Sequence, residues 1–364
     1  MLRLAARAAS ALAVASALAL TATTPALADP LVLPAATDIV GVGTGVTETL
    51  FTQFSTDYNA FLAASGDTTS ARLFSWDSAG TPSQVITKAG ATPIIRPDRT
   101  SAALSALNAT TRSTLDFVRT TRVPNANDLP GDLFVAFAKD AVSWAAPAGG
   151  NAPQNLTTSD LSNIYNCRVT NWKQIDSALP DATIVPVLAG HLSVDRSGVT
   201  GAPMESSEFL LKAINYPPAG TDGPSDRSCV RVVERGEQGW DALLHDPNAI
   251  VPYSVGHYVG QVYGGHSRPG DDPVTLTVRG IDGIASVNTA DRRISPPFAN
   301  TSYGRWLFNV VRQADWSNTS TTNALHQVFG TTGWICRNPT AAAAIKSYGF
   351  LTLPVGACGS TRHA

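Results

Sequence analysis

The stretch from Ile39 to Tyr58 constrains the fold more than any other part of the chain. Apolar residues 39–42 predict a buried β-strand, and Gly43-Thr44-Gly45 follow as a tight turn. Apolar side chains then recur at helical spacing at Val46, Leu50, Phe51, Phe54 and Tyr58. A strand, a glycine turn and a helix start bring unpaired backbone N–H groups and the positive end of a helix dipole to one place. The stretch therefore predicts an α/β protein with an anion or polar-ligand site at this turn.

This turn does not match the nucleotide-binding loops. It lacks the Lys-Ser/Thr pair of a P-loop, and Val46 stands where the dinucleotide fingerprint has its third glycine. A purely structural role is the alternative, because α/β proteins in general contain strand–turn–helix units.

The first 28 residues have the pattern of an export signal. Arg3 and Arg7 precede an apolar run, and Ala26-Leu27-Ala28 forms a small-residue cleavage motif. No cysteine follows the run, so we expect no lipid anchor, and the rest of the chain has no apolar span long enough to cross a bilayer. We expect a cleaved signal peptide over residues 1–28 and a secreted or extracytoplasmic protein.

The composition excludes some partners. The chain of 364 residues has a formal net charge of −2, which gives no electrostatic case for binding nucleic acid or anionic membranes. The length permits two lobes or one large domain. We expect a monomer that binds a small molecule.

Four cysteines are present in a chain that is predicted to be exported, where disulfides form by default. They are Cys167, Cys229, Cys336 and Cys358. Three pairings are open, and the simplest joins neighbours in order. No Cys-x-x-Cys motif or histidine cluster occurs, so we expect neither a metal site nor a cofactor.

Two further strand patterns end in polar, cationic loops. Residues 94–95 lead to a loop and helix start that contain Thr100 and Ser101. Residues 115–118 lead to Arg119, Thr120, Thr121 and Arg122. Alternating strands and helices favour open, mostly parallel sheets, in which ligands bind beyond the carboxyl ends of the strands. We therefore expect these two loops to lie close to the turn at Thr44.

Two apolar, extended stretches predict crossings between lobes, at residues 133–145 and 250–258. Between them, residues 189–207 read as a long polar loop that precedes a helix over 208–214.

Four segments, in this order, resemble the phosphate-type (type II periplasmic) solute-binding proteins of ABC importers. Residues 40–45 are similar to the first anion-binding loop of that family, and residues 156–165 with Asn171-Trp172 to its Leu-Thr…Trp segment. Residues 248–253 are similar to its return crossing, and residues 349–354 to its C-terminal Gly-Tyr-x-x-Leu-Pro motif. The resemblance implies a two-lobed α/β fold with mostly parallel open sheets and two hinge crossings. It also implies that a small anion such as phosphate binds between the lobes and that an ABC permease is the partner.

The crossings divide the chain into two expected lobes. The first consists of residues 29–140 plus 256–364, and the second of residues 141–255. Both in-order cysteine pairs would then lie within a lobe.

The candidate ligand-binding residues come from four loops or helix starts. They are Thr44, Gly45, Thr47, Thr100, Ser101, Thr121, Arg122, Ser206 and Ser207. Two positions depart from the family pattern: residues 119–124 lack its strand-end acid, and Glu205 stands in its Ser-Gly-Thr helix start. We hypothesise that Arg122 replaces the missing acid as a clamp, which would favour a fully ionised anion. Capping by the hydroxyls and a solvated Arg122 are the structural alternatives.

Two other classes of function remain as alternatives. A secreted hydrolase would need a Ser, His and acid held together, but no Gly-x-Ser-x-Gly elbow occurs, and His191 and His266 lie in glycine-rich loops. We therefore expect no enzyme. A secreted sensor or surface-interaction protein on the same scaffold would explain the missing lipid anchor.

Overall fold

The computed structural model describes residues 29–126, 128–195, 198–216, 227–268, 270–317 and 323–361. The predicted signal peptide, residues 1–28, lies outside these residues. Within them, no helix combines the length and the apolar character that a membrane span requires.

The described residues alternate between strands and helices. The strands are β1 (Ile39–Gly43), β2 (Leu73–Ser75), β3 (Gln84–Val85), β4 (Ile94–Ile95), β5 (Phe117–Thr120), β6 (Asp132–Pro147), β7 (Asn155–Leu156), β8 (Val185–Asp195), β9 (Gly198–Pro203), β10 (Arg231–Val233), β11 (Ala249–Ser254), β12 (Leu276–Val278), β13 (Gly280–Ile281), β14 (Val287–Asn288), β15 (Arg293–Ile294), β16 (Gly304–Arg312) and β17 (Leu351–Thr352). The helices are α1 (Glu48–Ala64), α2 (Thr100–Ala109), α3 (Thr158–Tyr165), α4 (Glu205–Ala213), α5 (Val255–Val262), α6 (Pro296–Ala299), α7 (Gln313–Trp316), α8 (Ala324–Phe329), α9 (Trp334–Arg337) and α10 (Pro339–Ser347).

One large sheet runs through the molecule in the order β10-β8-β11-β6-β16-β5-β1-β2. Both of its ends are parallel: β1 pairs with β2 and β5, and β8 pairs with β10 and β11. In the middle, β16 pairs antiparallel with β5 and β6, and β6 pairs antiparallel with β11. The predicted α/β class with mostly parallel strands is confirmed, and along this strand order the antiparallel pairs lie in the middle of the sheet.

The buried apolar side chains form three clusters: two on opposite faces of β5 and β16 together make the first core, and the third is the second core. The first core contains α1, α10 and the strands β1, β5 and β16, with buried side chains such as Phe51 and Leu307. The second core contains α3, α4 and the strands β8 and β11, with buried side chains such as Trp172 and Leu210. β6 supplies residues to both, because residues 134–138 pack in the first core and residues 141–146 in the second. The outward crossing predicted at residues 133–145 is therefore one continuous strand.

The predicted return crossing leads into helix α5, which lies between the two cores. The predicted crossing residues 255–258 begin helix α5, whose Val255, Tyr258 and Val259 pack in the second core. Residues from Leu276 to Tyr303 also contribute to that core, and the chain re-enters the first core along β16. Helix α5 is buried on nearly all sides, because Gly256 and Gly260 lie against Phe350 and Tyr348 of the first core while its apolar side chains pack in the second.

The prediction of a long polar loop over residues 189–207 is wrong. β8 and β9 form an antiparallel hairpin in which Gly190 pairs with Pro203 and Asp195 with Gly198. Helix α4 follows and begins at Glu205, three residues before the predicted start. Glycine and proline are poor strand residues, so their frequency in this segment concealed the two strands.

Two disulfides join the cysteines in order. Cys167 pairs with Cys229 in the second core, and Cys336 pairs with Cys358 beside the first. The simplest of the three pairings is thus confirmed.

Candidate functional site

The turn after β1 requires a glycine. Gly43 has a φ of +139°, and a Cβ at this position would lie 2.2 Å from the carbonyl oxygen of Arg119 on β5. Thr44 N donates to that same oxygen at 3.2 Å. The close approach of the two strand ends brings the loop at Thr44 next to the loop that begins at Thr121.

The three polar loops predicted from the sequence converge on one group, the carboxylate of Glu205. The Thr100 hydroxyl hydrogen-bonds to Oε1, and the Thr121 hydroxyl to Oε2. Thr121 N donates to Oε2 at 3.1 Å, and the Thr44 hydroxyl makes a further hydrogen bond. Three loops of the first core therefore supply four neutral donors to one anionic group.

Glu205 is the first residue of α4, which packs on the second core through Leu210 and Leu211. Its side chain is buried, and burial raises the pKa of its carboxyl group, while the hydrogen bonds from Thr121 and the charge of Arg305 oppose the rise. The site thus holds a desolvated carboxylate mainly by hydrogen bonds from neutral groups.

The other predicted site residues have different surroundings. Gly45 and Thr47 are buried in the turn before α1, and the Thr47 hydroxyl has no partner among the described residues. Ser101 is exposed. Ser206 Oγ donates to Glu237 at 2.6 Å, and Ser207 Oγ accepts from Ala189 N at 3.0 Å.

Arg122 forms a salt bridge with Asp128, a residue of its own loop. Its Nη1 donates to Asp128 Oδ2 at 2.9 Å, and its Nη2 pairs with Asp128 Oδ1. The side chain borders a small cavity that Glu205, Glu208 and Phe209 also line. Arg122 therefore lies at the edge of the site with its guanidinium engaged, and its predicted role as a clamp stays a prediction.

Behind Glu205, a second network of buried polar groups connects the sheet with α4. Arg305 donates to Asp140 on β6 and, at 3.0 Å, to Ser206 Oγ. Asp140 accepts from the Ser254 hydroxyl at 2.8 Å. Glu237 accepts from Ser254 N at 2.6 Å and from Ser206. These hydrogen bonds fix the start of α4 against β6 and β16, the strands that carry Asp140 and Arg305.

A third cluster of charges lies beside the turn at Thr44. Arg268 pairs with both Glu48 and Asp77, and Glu48 accepts from Ser78 N and Ser78 Oγ, each at 2.8 Å. Burial and the nearby charge of Glu48 raise the pKa of Asp77 to about 7. Arg119 is fully buried next to this cluster, and burial lowers its pKa to about 10.

Sequence reasoning missed most of the charges in these two networks. Asp140, Arg305 and Arg119 lie in strands whose other residues are mostly apolar. A charged side chain inside a buried strand needs a partner. A charged residue within an apolar strand is therefore the sequence pattern that could have identified these three residues. Glu48 and Glu237 gave no comparable signal. Among the residues the structure describes, no group of His, Cys, Asp and Glu is placed to hold a metal ion.

Comparisons with known proteins bear on the fold. No family model matches the chain, and no curated protein matches it significantly. A crystal structure described as an ABC-type phosphate transport receptor from Vibrio cholerae is similar, with a TM-score of 0.53, 14% identity, and coverage of 87% of this chain and 100% of that chain. One described as a putative phosphate ABC transporter substrate-binding protein with bound phosphate, from Clostridium perfringens, has a TM-score of 0.56, 12% identity and the same coverage. The chain therefore has the fold of the phosphate-type solute-binding proteins of ABC importers, as the resemblance in the sequence implied.

Proposed function

We propose that this protein is an extracytoplasmic solute-binding protein that holds a small oxyanion between two lobes and delivers it to an ABC permease. The observation that carries the proposal is the set of four donors from Thr44, Thr100 and Thr121 around one carboxylate. Backbone N–H groups and hydroxyls that converge on one point stabilise an anionic oxygen group. The same donors would serve a free carboxylate, sulfate or phosphate.

The position of this donor set supports a site between lobes. The donors belong to loops of the first core, and α4, which faces them, packs on the second. A small cavity beside them has walls from both sides, with Gly45 and Ser78 on one and Met204 and Arg235 on the other. We propose the two lobes predicted from the sequence, with the return moved from residue 256 to the start of β16 on the basis of core packing.

Binding rather than catalysis is the activity we infer. The two similar solved structures are described as a transport receptor and a substrate-binding protein. The candidate site also offers donors that are already paired with an acid, without a hydroxyl held by a histidine base. The predicted signal peptide and the permease partner are part of the proposal.

Thermal unfolding in the presence of candidate ligands tests this function. The panel contains phosphate, sulfate, a phosphonate, small carboxylates and neutral sugars, each at the same ionic strength. A ligand at a hundred times its Kd stabilises the folded protein by about 2.7 kcal/mol, so at least one oxyanion is expected to raise the Tm. Stabilisation by sugars alone, or chemical turnover of the compound that binds, would contradict the proposal.

A further inference from the structure

Glu205 joins the two cores through its side chain. Its carboxylate is held by Thr44 and Thr121, which directly follow β1 and β5, and by Thr100, the first residue of α2. Its backbone begins α4, whose Leu210 and Leu211 are buried in the second core together with Ile214 at the end of the helix. A single acidic residue therefore spans the gap where a ligand of the proposed function would lie.

The donors around Glu205 leave no room for a second anion. Oε1 accepts from Thr100, and Oε2 accepts both the N–H and the hydroxyl of Thr121. A hydroxyl or an N–H donates only one proton, so a free oxyanion would need the same hydrogen bonds. The cavities beside the site measure about 30 and 40 Å³, which is space for only a few water molecules.

We propose that Glu205 is an internal competitor of the ligand: its carboxylate occupies the oxyanion position, holds the two cores closed, and must leave before a free oxyanion binds. This inference rests on the proposed function and adds a mechanism to it. An acid at the start of α4 then has a physical role, because it satisfies the buried donors of the first core whenever no ligand is present. Burial raises the pKa of the Glu205 carboxyl group, because desolvation disfavours its charged form, and the hydrogen bonds from the threonines oppose this rise.

The competition predicts a measurable change in apparent affinity. If only one molecule in ten has Glu205 displaced, the apparent Kd is tenfold higher than the intrinsic value. Glu205→Ala is therefore expected to bind the same oxyanion about tenfold more tightly than the parent. It is also expected to be more open without ligand, because the side chain that connects the cores is gone.

Calorimetry with phosphate and with sulfate, together with small-angle scattering of the ligand-free proteins, tests the proposal. The control is Asp291→Ala, which removes an exposed acid that lines neither cavity and is expected to change neither affinity nor radius of gyration. Glu205→Gln serves as a second variant of nearly the same shape. Its amide keeps one acceptor oxygen, so its affinity is expected to fall between those of the parent and Glu205→Ala.

The outcomes separate this inference from the function on which it rests. Tighter binding and a larger radius of gyration in Glu205→Ala support the competitor. Weaker binding in both Glu205 variants, or an unchanged radius of gyration in ligand-free Glu205→Ala, overturns it. A larger radius of gyration without oxyanion binding by any of the proteins supports the closing contact and overturns the proposed function instead.

Discussion

Arg305 Nη2 on β16 lies 2.9 Å from Asp140 Oδ2 on β6, and both side chains are fully buried. The same guanidinium donates to the backbone oxygen of Glu205 and to Ser206 Oγ. One ion pair in the central sheet thus also fixes the first turn of α4. The position of the candidate site therefore depends on a charge pair that does not contact the donor loops.

Breaking this pair should destabilise the fold. Asp140→Ala leaves the Arg305 charge buried and unpaired, which costs about 3–5 kcal/mol. We expect the urea midpoint of unfolding, followed by circular dichroism, to fall accordingly. Lys173→Ala is the control, because the Lys173–Asp181 pair is mostly exposed and such pairs contribute about 0–1 kcal/mol. Equal losses in the two variants would contradict the structural role of Asp140.

Thr121 should be the strongest single contributor to oxyanion binding. It supplies both an N–H and a hydroxyl to the group in the site. Thr121→Val keeps the shape and removes one hydrogen bond to a charged group, which is worth about 1.5–3 kcal/mol, or about ten- to a hundredfold in Kd. Ser101→Ala, at an exposed position of α2, should leave the Kd unchanged. Calorimetry on both variants checks the result, and an unaltered Kd in Thr121→Val would place the ligand elsewhere.

Arg122 tests the clamp hypothesis directly. As a clamp, it would be worth about thirtyfold or more in affinity, since a loss of about 2–4 kcal/mol is typical when a charged partner is removed. Its two Nη atoms are engaged by Asp128, so we expect Arg122→Ala to weaken the oxyanion less than Thr121→Val does. A loss of thirtyfold or more in titrations of Arg122→Ala would restore Arg122 as the clamp.

Asp77 should make stability depend on pH. Its pKa is about 7 in the folded protein, whereas the free side chain has a pKa of 3.8. Between these values the folded state holds a proton that the unfolded state has lost, so the free energy of unfolding falls as pH rises from about 4 to 7 and is then constant. The slope from this group is at most about 1.4 kcal/mol per pH unit.

Thermal unfolding from pH 5 to pH 8 measures this effect. Asp77→Asn removes the titrating group, so the Tm of the variant should fall less across this range than that of the parent. Asp291→Asn, an exposed carboxylate in a turn, should retain the parent profile. Identical profiles for the parent and Asp77→Asn would show that this carboxyl group titrates normally.

The two disulfides should contribute differently to stability. Cys167–Cys229 closes a separation of 62 residues, and Cys336–Cys358 one of 22. The chain-entropy relation gives about 4 and about 3 kcal/mol, respectively. Replacing each pair by serine should lower the free energy of unfolding in that order, as measured by urea titration under oxidising conditions. The reverse order would show that native-state contacts outweigh loop closure.

The sequence was most informative where local rules decide the structure. Thr44, Thr100 and Thr121 were expected to converge because the carboxyl ends of adjacent parallel strands meet at one edge. That Glu205 reaches this edge was not predictable, because it depends on the hairpin of β8 and β9 and on the start of α4. The partner of Arg122 depends on the path of the loop to Asp128, which carries no periodic signal. Residues 255–258, predicted as part of an extended crossing, begin helix α5, because a short apolar run does not distinguish a helix from an extended segment.

The continuity of β6 has a consequence for attempts to divide the molecule. Its first half pairs with β16 and its second half with β11 and β12, so any break between the cores leaves unpaired strand edges on both fragments. Neither fragment would keep its full hydrogen-bond ladder. We therefore expect a gene split within β6 to yield a folded protein only when both fragments are co-expressed, whereas circular permutation at a surface turn such as residues 289–292 would leave β6 intact.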